Sequence, residues 1–220
     1  MQTDRPTSEQ IPRSKRLPRW IVLLGVLVVL VGAAILGYQW IKLRRADRFA
    51  ASGDSLLKEN KLNEAAVQYR VALQLDPQNY HALAGAARLA SQTDRPEAME
   101  LWQKVIGLRK ATVQDRQDYA ELLIKNNRLP LAQQQLDPLL KNNPDTRTLR
   151  LASRYSVKIG DGAKALEFMR IAAKRAPDDD ATRFQLAELL AQSTGSSEQA
   201  EARKILWELA AKSNSFKQVA

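Results

Sequence analysis

The amino-acid sequence predicts an all-α protein, in which one transmembrane helix near the N-terminus precedes an α-solenoid of about five helical hairpins. Two features of the sequence lead to this prediction. An uncharged apolar run extends from Trp20 to Ile41, and alanine recurs every 33 or 34 residues in the chain that follows. The composition agrees, because 45% hydrophobic and 26% charged residues suit a folded chain, while only 6% aromatic residues disfavours a strand-rich fold.

The apolar run is long enough to cross a lipid bilayer. As an α-helix its 22 residues measure about 33 Å, close to the roughly 30 Å of a hydrocarbon core. Trp20 lies at one end and Tyr38 and Trp40 at the other, where aromatic rings favour the headgroup level. A cleaved signal peptide is the alternative, because residues 31–33 fit a small-residue cleavage site. The run continues past that site, which favours a membrane anchor.

Basic residues flank both ends of the apolar run. The first 48 residues carry +6 of the formal net charge of +10. Cations beside an apolar segment attract anionic lipid headgroups, so nucleic acid is not needed to explain the charge. The predicted headgroup contacts are Arg13, Lys15, Arg16, Arg19, Lys42, Arg44 and Arg45.

The membrane orientation depends on which flank crosses the bilayer. Residues 1–19 contain five Lys or Arg and residues 42–61 contain six, so the positive-inside rule does not decide. A short cationic tail is harder to translocate than a long C-terminal domain. We therefore expect a cytoplasmic N-terminus and a repeat region on the extracytoplasmic, periplasmic side.

The chain after residue 45 contains a repeated unit. Its first column is Ala65, Ala98, Ala132 and Ala165. Four residues after each alanine comes a large apolar side chain, in the order Tyr69, Trp102, Leu136 and Met169. A third column, at Pro77, Lys110, Pro144 and Pro177, ends a helix in three of four units. Each unit contains two helical stretches joined by a short polar turn, and such hairpins must stack to bury their apolar faces.

These columns resemble the tetratricopeptide repeat (TPR), a 34-residue helical hairpin with characteristic small, large and proline positions. Residues 46–79 match best, through Phe49, Gly53, Leu56, Ala65, Tyr69, Ala72 and Pro77. Arg116 and Arg183 depart from the pattern, because they occupy a position that is large and apolar in the family. The resemblance implies a right-handed superhelix whose first helices line a concave groove, and a groove that binds peptides or partner helices.

The predicted organisation has five parts. A basic tail (1–19), a transmembrane helix (20–41) and a basic linker (42–45) precede the repeat array (46–214). The units of the array are 46–79, 80–112, 113–145, 146–179 and 180–214. Residues 215–220 are predicted to be a C-terminal tail or the start of a further helix, which leaves open a natural chain that continues beyond them.

The candidate partner-binding residues lie in the fourth and fifth units. Arg147, Arg150, Arg154 and Lys158 are spaced 3, 4 and 4 residues apart, so they share one helix face, which the repeat pattern turns into the groove. We hypothesise that this stripe binds an acidic segment or a C-terminal carboxylate. A solvated charged face is the alternative. Phe184 is a candidate apolar anchor, and its alternative is an inward rotation that fills the position of Arg183.

The residue inventory argues against catalysis. With no Cys and one His, the chain has no disulfide, zinc–thiolate site or cysteine nucleophile. It also lacks a phosphate-binding glycine loop and a nucleophile elbow. We therefore expect no enzyme activity, no cofactor, no metal, no nucleic acid and no small-molecule substrate.

The sequence favours a membrane-anchored adaptor that binds a protein partner in a bacterial envelope assembly, translocation or secretion complex. Two alternatives stay open. One is a docking receptor that faces the cytosol, and the other is the N-terminal regulatory part of a longer enzyme.

Overall fold

The computed structural model describes residues 19–141 and 143–217, and it describes residues 19–23, 26 and 213–217 by their backbone alone. The described residues form ten helices and no strand. The helices are α1 (Arg19–Lys58), α2 (Leu62–Leu75), α3 (Tyr80–Gln92), α4 (Ala98–Gly107), α5 (Val113–Lys125), α6 (Leu129–Lys141), α7 (Thr146–Lys158), α8 (Gly162–Arg175), α9 (Asp180–Gln192) and α10 (Ser196–Lys217).

The chain divides into two units, Met1–Arg45 and Ala46–Ala220. In the first unit, the large apolar side chains described between Leu24 and Leu43 are 46 to 72% exposed. By length and composition, this part of α1 belongs to a helix that is able to cross a membrane, a property that signal sequences share. Tyr38 and Trp40 are both exposed, and the Arg44 guanidinium lies 4.9 Å from the centre of a Trp40 ring.

Several of the predicted membrane contacts are not described. Arg13, Lys15 and Arg16 lie outside the described residues, as do the side chains of Arg19 and Trp20. Of the remaining headgroup candidates, Arg44 and Arg45 are exposed and Lys42 is partly exposed.

Two helix ends differ from the sequence-based expectation. Residues 42–45, which we expected to form a linker, are helical, because they contain neither Gly nor Pro and consist of good helix formers. Helix α10 continues through Lys217, although we expected the last repeat to end by residue 214. Ser213, Asn214 and Ser215 have modest helix propensity, but none of them forces a helix to end.

The second unit is a stack of helical hairpins. We call the first helix of each hairpin an A helix (residues 46–58 of α1, then α3, α5, α7 and α9) and the second a B helix (α2, α4, α6, α8 and α10). From α2 onwards, each helix packs against the next one in the chain. Two A-helix pairs, α3 with α5 and α5 with α7, also contact each other directly. The all-α class and the solenoid of stacked hairpins are therefore confirmed.

Four of the five turns between an A helix and its B helix share one backbone geometry. Asn60, Asp94, Asn127 and Gly160 each adopt a positive φ, between 51° and 81°. The amide of the following residue donates to a carbonyl five residues earlier, as from Lys61 to Leu56 at 2.9 Å. This is the Schellman ending, and Gly, Asn and Asp tolerate the left-handed residue that it needs.

The repeated columns form the core of the hairpins. The alanine column and the large apolar column are at most 2% exposed throughout. The two arginines that depart from the pattern bond to polar groups of their own B helices instead. Arg116 donates to Oε1 of Gln135 at 3.1 Å, and Arg183 pairs with the Glu208 carboxylate.

Two glycines allow the Tyr69 ring to enter the first hairpin interface. The Tyr69 hydroxyl donates to Oδ1 of Asp54 at 2.7 Å, which fixes the ring between α1 and α3. A Cβ atom would lie 2.6 Å from Cε1 of this ring if built on Gly53, and 2.3 Å if built on Gly85. The ring therefore occupies space that any side chain at either position would need.

We expect Gly85→Ala to lower the free energy of unfolding by about 1 to 3 kcal/mol, because the added methyl group overpacks a buried ring. Gly107→Ala is the matched control, since a Cβ there meets nothing within 4 Å. The control should be neutral or stabilising by up to about 1 kcal/mol, from the higher helix propensity of alanine. Urea unfolding of the three proteins measures both effects, and equal stability of Gly85→Ala and the parent would contradict the expectation.

Candidate functional site

The candidate site is the outward face of the A helices, which we call the A-helix surface. The four cations of α7 all lie on it and are exposed or partly exposed. Three of them are already bonded to side chains of neighbouring A helices. These three are Arg147, Arg150 and Arg154.

Arg147 and Arg154 bind carboxylates of α5. Nη2 of Arg147 lies 2.7 Å from Oδ1 of Asp118 and 3.0 Å from Oε2 of Glu121. Nη1 of Arg154 lies 2.9 Å from Oε1 of the same glutamate. These cations therefore join two adjacent hairpins.

Arg150 points in the other direction along the solenoid, towards α9. Its Nε donates to Oε1 of Gln185 at 3.1 Å, and its Nη1 lies 3.5 Å from Oδ2 of Asp179. Asp179 is also the N-cap of α9, where it accepts the amide of Ala181. Lys158 differs from the three arginines, because it is exposed and makes no ion pair within the described part of the chain.

The pairing continues to α3 through a fully buried carboxylate. Asp115 accepts from Arg88 at 2.5 Å, from the Tyr80 hydroxyl at 2.6 Å and from the backbone amide of Thr112 at 2.9 Å. Arg88 also donates to Asp118 at 2.9 Å. We call the connected set the arginine–carboxylate network. Its members are Arg88, Asp115, Asp118, Glu121, Arg147 and Arg154.

This network was not predicted from the sequence. Asp115 has a local signature, because Thr112 and Asp115 form a capping box at the start of α5. The ion pair between Asp115 and Arg88 has no such local signature, since the two residues are 27 positions apart in the sequence.

The network holds the pKa of Glu121 below its usual value. Partial burial alone would raise this pKa, but hydrogen bonds and charges from Arg154 and Arg147 outweigh it. Burial likewise raises the pKa of the Tyr80 hydroxyl, and its hydrogen bond to Asp115 adds to the shift. Tyr80 is therefore a neutral hydrogen-bond donor at physiological pH.

Beside the network, α7 and α9 leave an open groove, which we call the α7–α9 groove. Its volume is about 260 Å³, and its lining includes Arg154, Val157, Gln185, Glu188 and Leu189. Phe184, one helical turn before Glu188, is 48% exposed and Val157 is 46% exposed. Phe184 does not rotate inward, because Arg183 reaches α10 and Thr182 fills the buried position.

The side chains of the A-helix surface are suited to bind a ligand that has both apolar and acidic groups. It combines half-exposed apolar side chains with guanidinium groups that retain free donors after pairing. Among the described residues, no group of three or more His, Cys, Asp or Glu side chains is placed to hold a metal ion.

No protein-family model and no protein of curated function matches this sequence. Solved structures do resemble the fold. PilF from Pseudomonas aeruginosa superposes with a TM-score of 0.66 at 20% identity, over 78% of this chain and 77% of that one. MamA from Desulfovibrio magneticus RS-1 gives 0.66 at 16% identity, over 78% and 96%. YrrB, described as a TPR protein with an unusual peptide-binding site, gives 0.57 at 19% identity, over 73% and 82%. The chain therefore has a TPR-like fold.

We expect Asp115→Ala to lower the free energy of unfolding by about 1 to 3 kcal/mol, because it leaves the Tyr80 hydroxyl and one side of the Arg88 guanidinium without an acceptor. Asp137→Ala on the exposed face of α6 is the control, since this aspartate is solvent-exposed. The control should stay within about 0.5 kcal/mol of the parent in urea unfolding. A small effect of Asp115→Ala would show that the network does not hold the hairpins together.

The pKa of Glu121 also predicts a pH dependence. Because its folded-state pKa lies below the ordinary 4.5, its contribution to stability is present above that value and is lost as the pH falls through the lower, folded-state pKa. Urea unfolding between pH 3 and 7 should therefore show less acid destabilisation in Glu121→Gln than in the parent. Parallel pH curves for the two proteins would refute this role.

Proposed function

We propose that this protein is a membrane-anchored adaptor that binds a segment of a protein partner along its A-helix surface. The observation that carries the proposal is the α7–α9 groove, in which Val157 stays half-exposed beside Arg154, with the half-exposed Phe184 next to the lining residue Gln185. Exposed apolar groups next to fixed charges are typical of binding sites, where an aromatic side chain serves as an anchor. The TPR-like fold supports the proposal, because stacked repeats create extended surfaces of this kind.

The arginine–carboxylate network would prepare this surface for binding. Ion pairs to α5 and α9 restrict Arg147, Arg150 and Arg154 before any ligand arrives. Binding then requires less loss of side-chain freedom, which improves affinity. A guanidinium has five N–H donors, so Arg150 and Arg154 retain donors for a ligand carboxylate.

We infer that the ligand is a peptide segment with an apolar side chain and at least one carboxylate. The apolar side chain would contact Phe184 and Val157, and the carboxylate would meet Lys158 or Arg154. Lys158 is the most available of these cations, because it is exposed and makes no ion pair among the described residues. Glu188 would disfavour a carboxylate at the opposite side of the groove, which gives the ligand a preferred direction.

The exposed apolar part of α1 supports the membrane anchor, since this surface is unfavourable in water. We propose that residues 20–41 cross the membrane with the N-terminus in the cytoplasm and the hairpin unit outside it. In a bacterial envelope this location suits an assembly, translocation or secretion complex. The proposed role is binding without catalysis.

The ligand-binding role predicts a local crosslink. A photo-crosslinking amino acid at position 184, introduced in the native host, should capture a discrete partner, whereas the same residue at Trp207 should not. Trp207 is the control because it is 77% exposed on α10, which is a B helix and not part of the A-helix surface. Equal capture at both positions, or at neither, would contradict the proposal.

The captured partner then allows a quantitative test. Phe184→Ala and Lys158→Glu should each weaken its binding by about tenfold or more, because they remove an apolar anchor and reverse a favourable charge. Trp207→Ala and Lys174→Glu are the matched controls on other surfaces, and they should bind like the parent. Isothermal titration measures all four, and unchanged affinity of both Phe184→Ala and Lys158→Glu would overturn the assignment of this binding surface.

The topology can be tested with single cysteines, because the chain has none of its own. Lys110→Cys and Thr194→Cys carry the label in exposed turns of the hairpin unit, and Thr3→Cys carries it in the N-terminal tail. In cells with a permeable outer membrane, a membrane-impermeant maleimide should label the first two and reach Thr3→Cys only after lysis. The reverse pattern would indicate a docking receptor that faces the cytosol, and loss of Thr3→Cys from the mature protein would indicate a cleaved signal peptide.

A further inference from the structure

A second groove lies among the B helices, on the other face of α3 from Arg88. We call it the B-helix groove. Helix α2 forms one wall, the α3–α4 turn with Leu101 of α4 forms the other, and α3 forms the floor of this open groove of about 390 Å³. Its apolar lining includes Leu62, Ala66, Leu73, Leu89 and Leu101. All of these except Leu89 remain partly exposed, so a ligand that covered them would remove apolar surface from water.

The shape of the groove fits a helix. Leu62, Ala66 and Leu73 are spaced 4 and 7 residues apart, so they form one partly exposed stripe along α2. The stripe extends over three turns, or about 16 Å. A partner helix of similar length would place its own apolar side chains at positions i, i+4 and i+7 into this groove.

The rim of the groove carries a cation that makes no ion pair within the described residues. Arg70 is exposed on the α2 side and makes no ion pair within the described residues. On the opposite rim, Arg95 already has Glu97 as a partner, with Nη1 and Oε1 3.7 Å apart. A free guanidinium beside an apolar stripe favours a ligand with a carboxylate next to its own apolar side chains.

The positive charge of α10 argues against a second copy of this chain as the occupant of the B-helix groove. Helix α10 presents the exposed Trp207, which a second copy would have available for the groove. Arg203 and Lys204 precede this tryptophan and are exposed, so they would approach Arg70 with the same sign of charge. An acidic partner avoids this repulsion.

We propose that the B-helix groove binds an amphipathic helix of a protein partner, with an apolar i, i+4, i+7 stripe and an acidic residue that pairs with Arg70. This site goes beyond the proposed function, because it uses the B helices and is separate from the α7–α9 groove. The two sites can hold two different partner segments.

The probe is a displayed library of 16-residue helical peptides. Leucine is fixed at i, i+4 and i+7, and the flanking positions vary among Glu, Gln and Lys. Selection uses the full chain in lipid nanodiscs, because free detergent would compete for an apolar groove. We expect enrichment of peptides with Glu beside the leucine stripe, and we expect Arg70→Glu to enrich Lys at the same position.

Affinity measurements on the selected peptides complete the test. The best Glu peptide should bind Arg70→Glu about tenfold or more weakly, and its Lys counterpart should restore the affinity. Ala66→Trp, which fills the groove, should abolish binding of both peptides. Arg70→Glu replaces an exposed side chain without an ion pair, so it keeps the test valid if Ala66→Trp does not fold, as judged by circular dichroism.

Lys158→Glu is the matched control, since it makes the same change of sign on the A-helix surface. It should leave peptide affinity unchanged. Peptides that lose affinity with Lys158→Glu but not with Arg70→Glu would overturn this inference and support the proposed function instead. An empty selection would also overturn it. A dimer seen in sedimentation experiments would overturn it as well, provided that Trp207→Ala and Ala66→Trp each dissociate this dimer. That result would identify a second copy of the chain as the occupant of the groove.

Discussion

The carboxylate of Asp115 is the buried polar group that joins the second and third hairpins of this protein. It is fully buried, it caps the start of α5, and it receives the Tyr80 hydroxyl and the Arg88 guanidinium from α3. Arg88 in turn lies 5.8 Å from the centre of a ring of Trp102, which links the polar network to the apolar core. A buried charge is tolerable only with all of these partners in place, so it favours one arrangement of the two hairpins over others.

The other A helices are joined in the same way, by a polar side chain that bonds to a capping residue of the neighbouring A helix, but with different residues. Gln117 donates to both carboxylate oxygens of Asp145, the N-cap of α7, and Asn79, the N-cap of α3, donates to Asp47. Arg150 reaches Asp179, the N-cap of α9. Links between an A helix and the cap of a neighbour therefore recur along the solenoid, while the alanine and large apolar columns fill the space inside each hairpin. Apolar side chains fill each hairpin and also join neighbouring ones, since the Trp102 ring stacks on the Tyr119 ring of the next hairpin.

The hairpin unit presents two surfaces of different chemistry. The A-helix surface is polar, and ion pairs between neighbouring helices hold most of its arginines on α7. Its apolar groups are concentrated at α7 and α9. The B-helix groove is mostly apolar, with Arg70 as an unpaired cation on its rim. The two proposed sites would therefore bind two partner segments at once.

The sequence by itself determined the all-α class, the hairpin repeat and the apolar N-terminal helix, because these depend on periodicity over short distances. Alanine and proline columns repeat at a fixed interval, and an uncharged run of 22 residues is visible without any knowledge of tertiary contacts. The tertiary structure decided how the charged residues are used. From spacing alone, Arg147, Arg150 and Arg154 form a free cationic stripe, whereas the folded chain brings Glu121 and Asp179 to them from other repeats. It also decided that Phe184 stays exposed and that α2 and α4 leave a groove. The ion-pair partners lie 26, 29 and 33 positions apart in the chain, and a local sequence pattern does not indicate which of such distant residues come into contact.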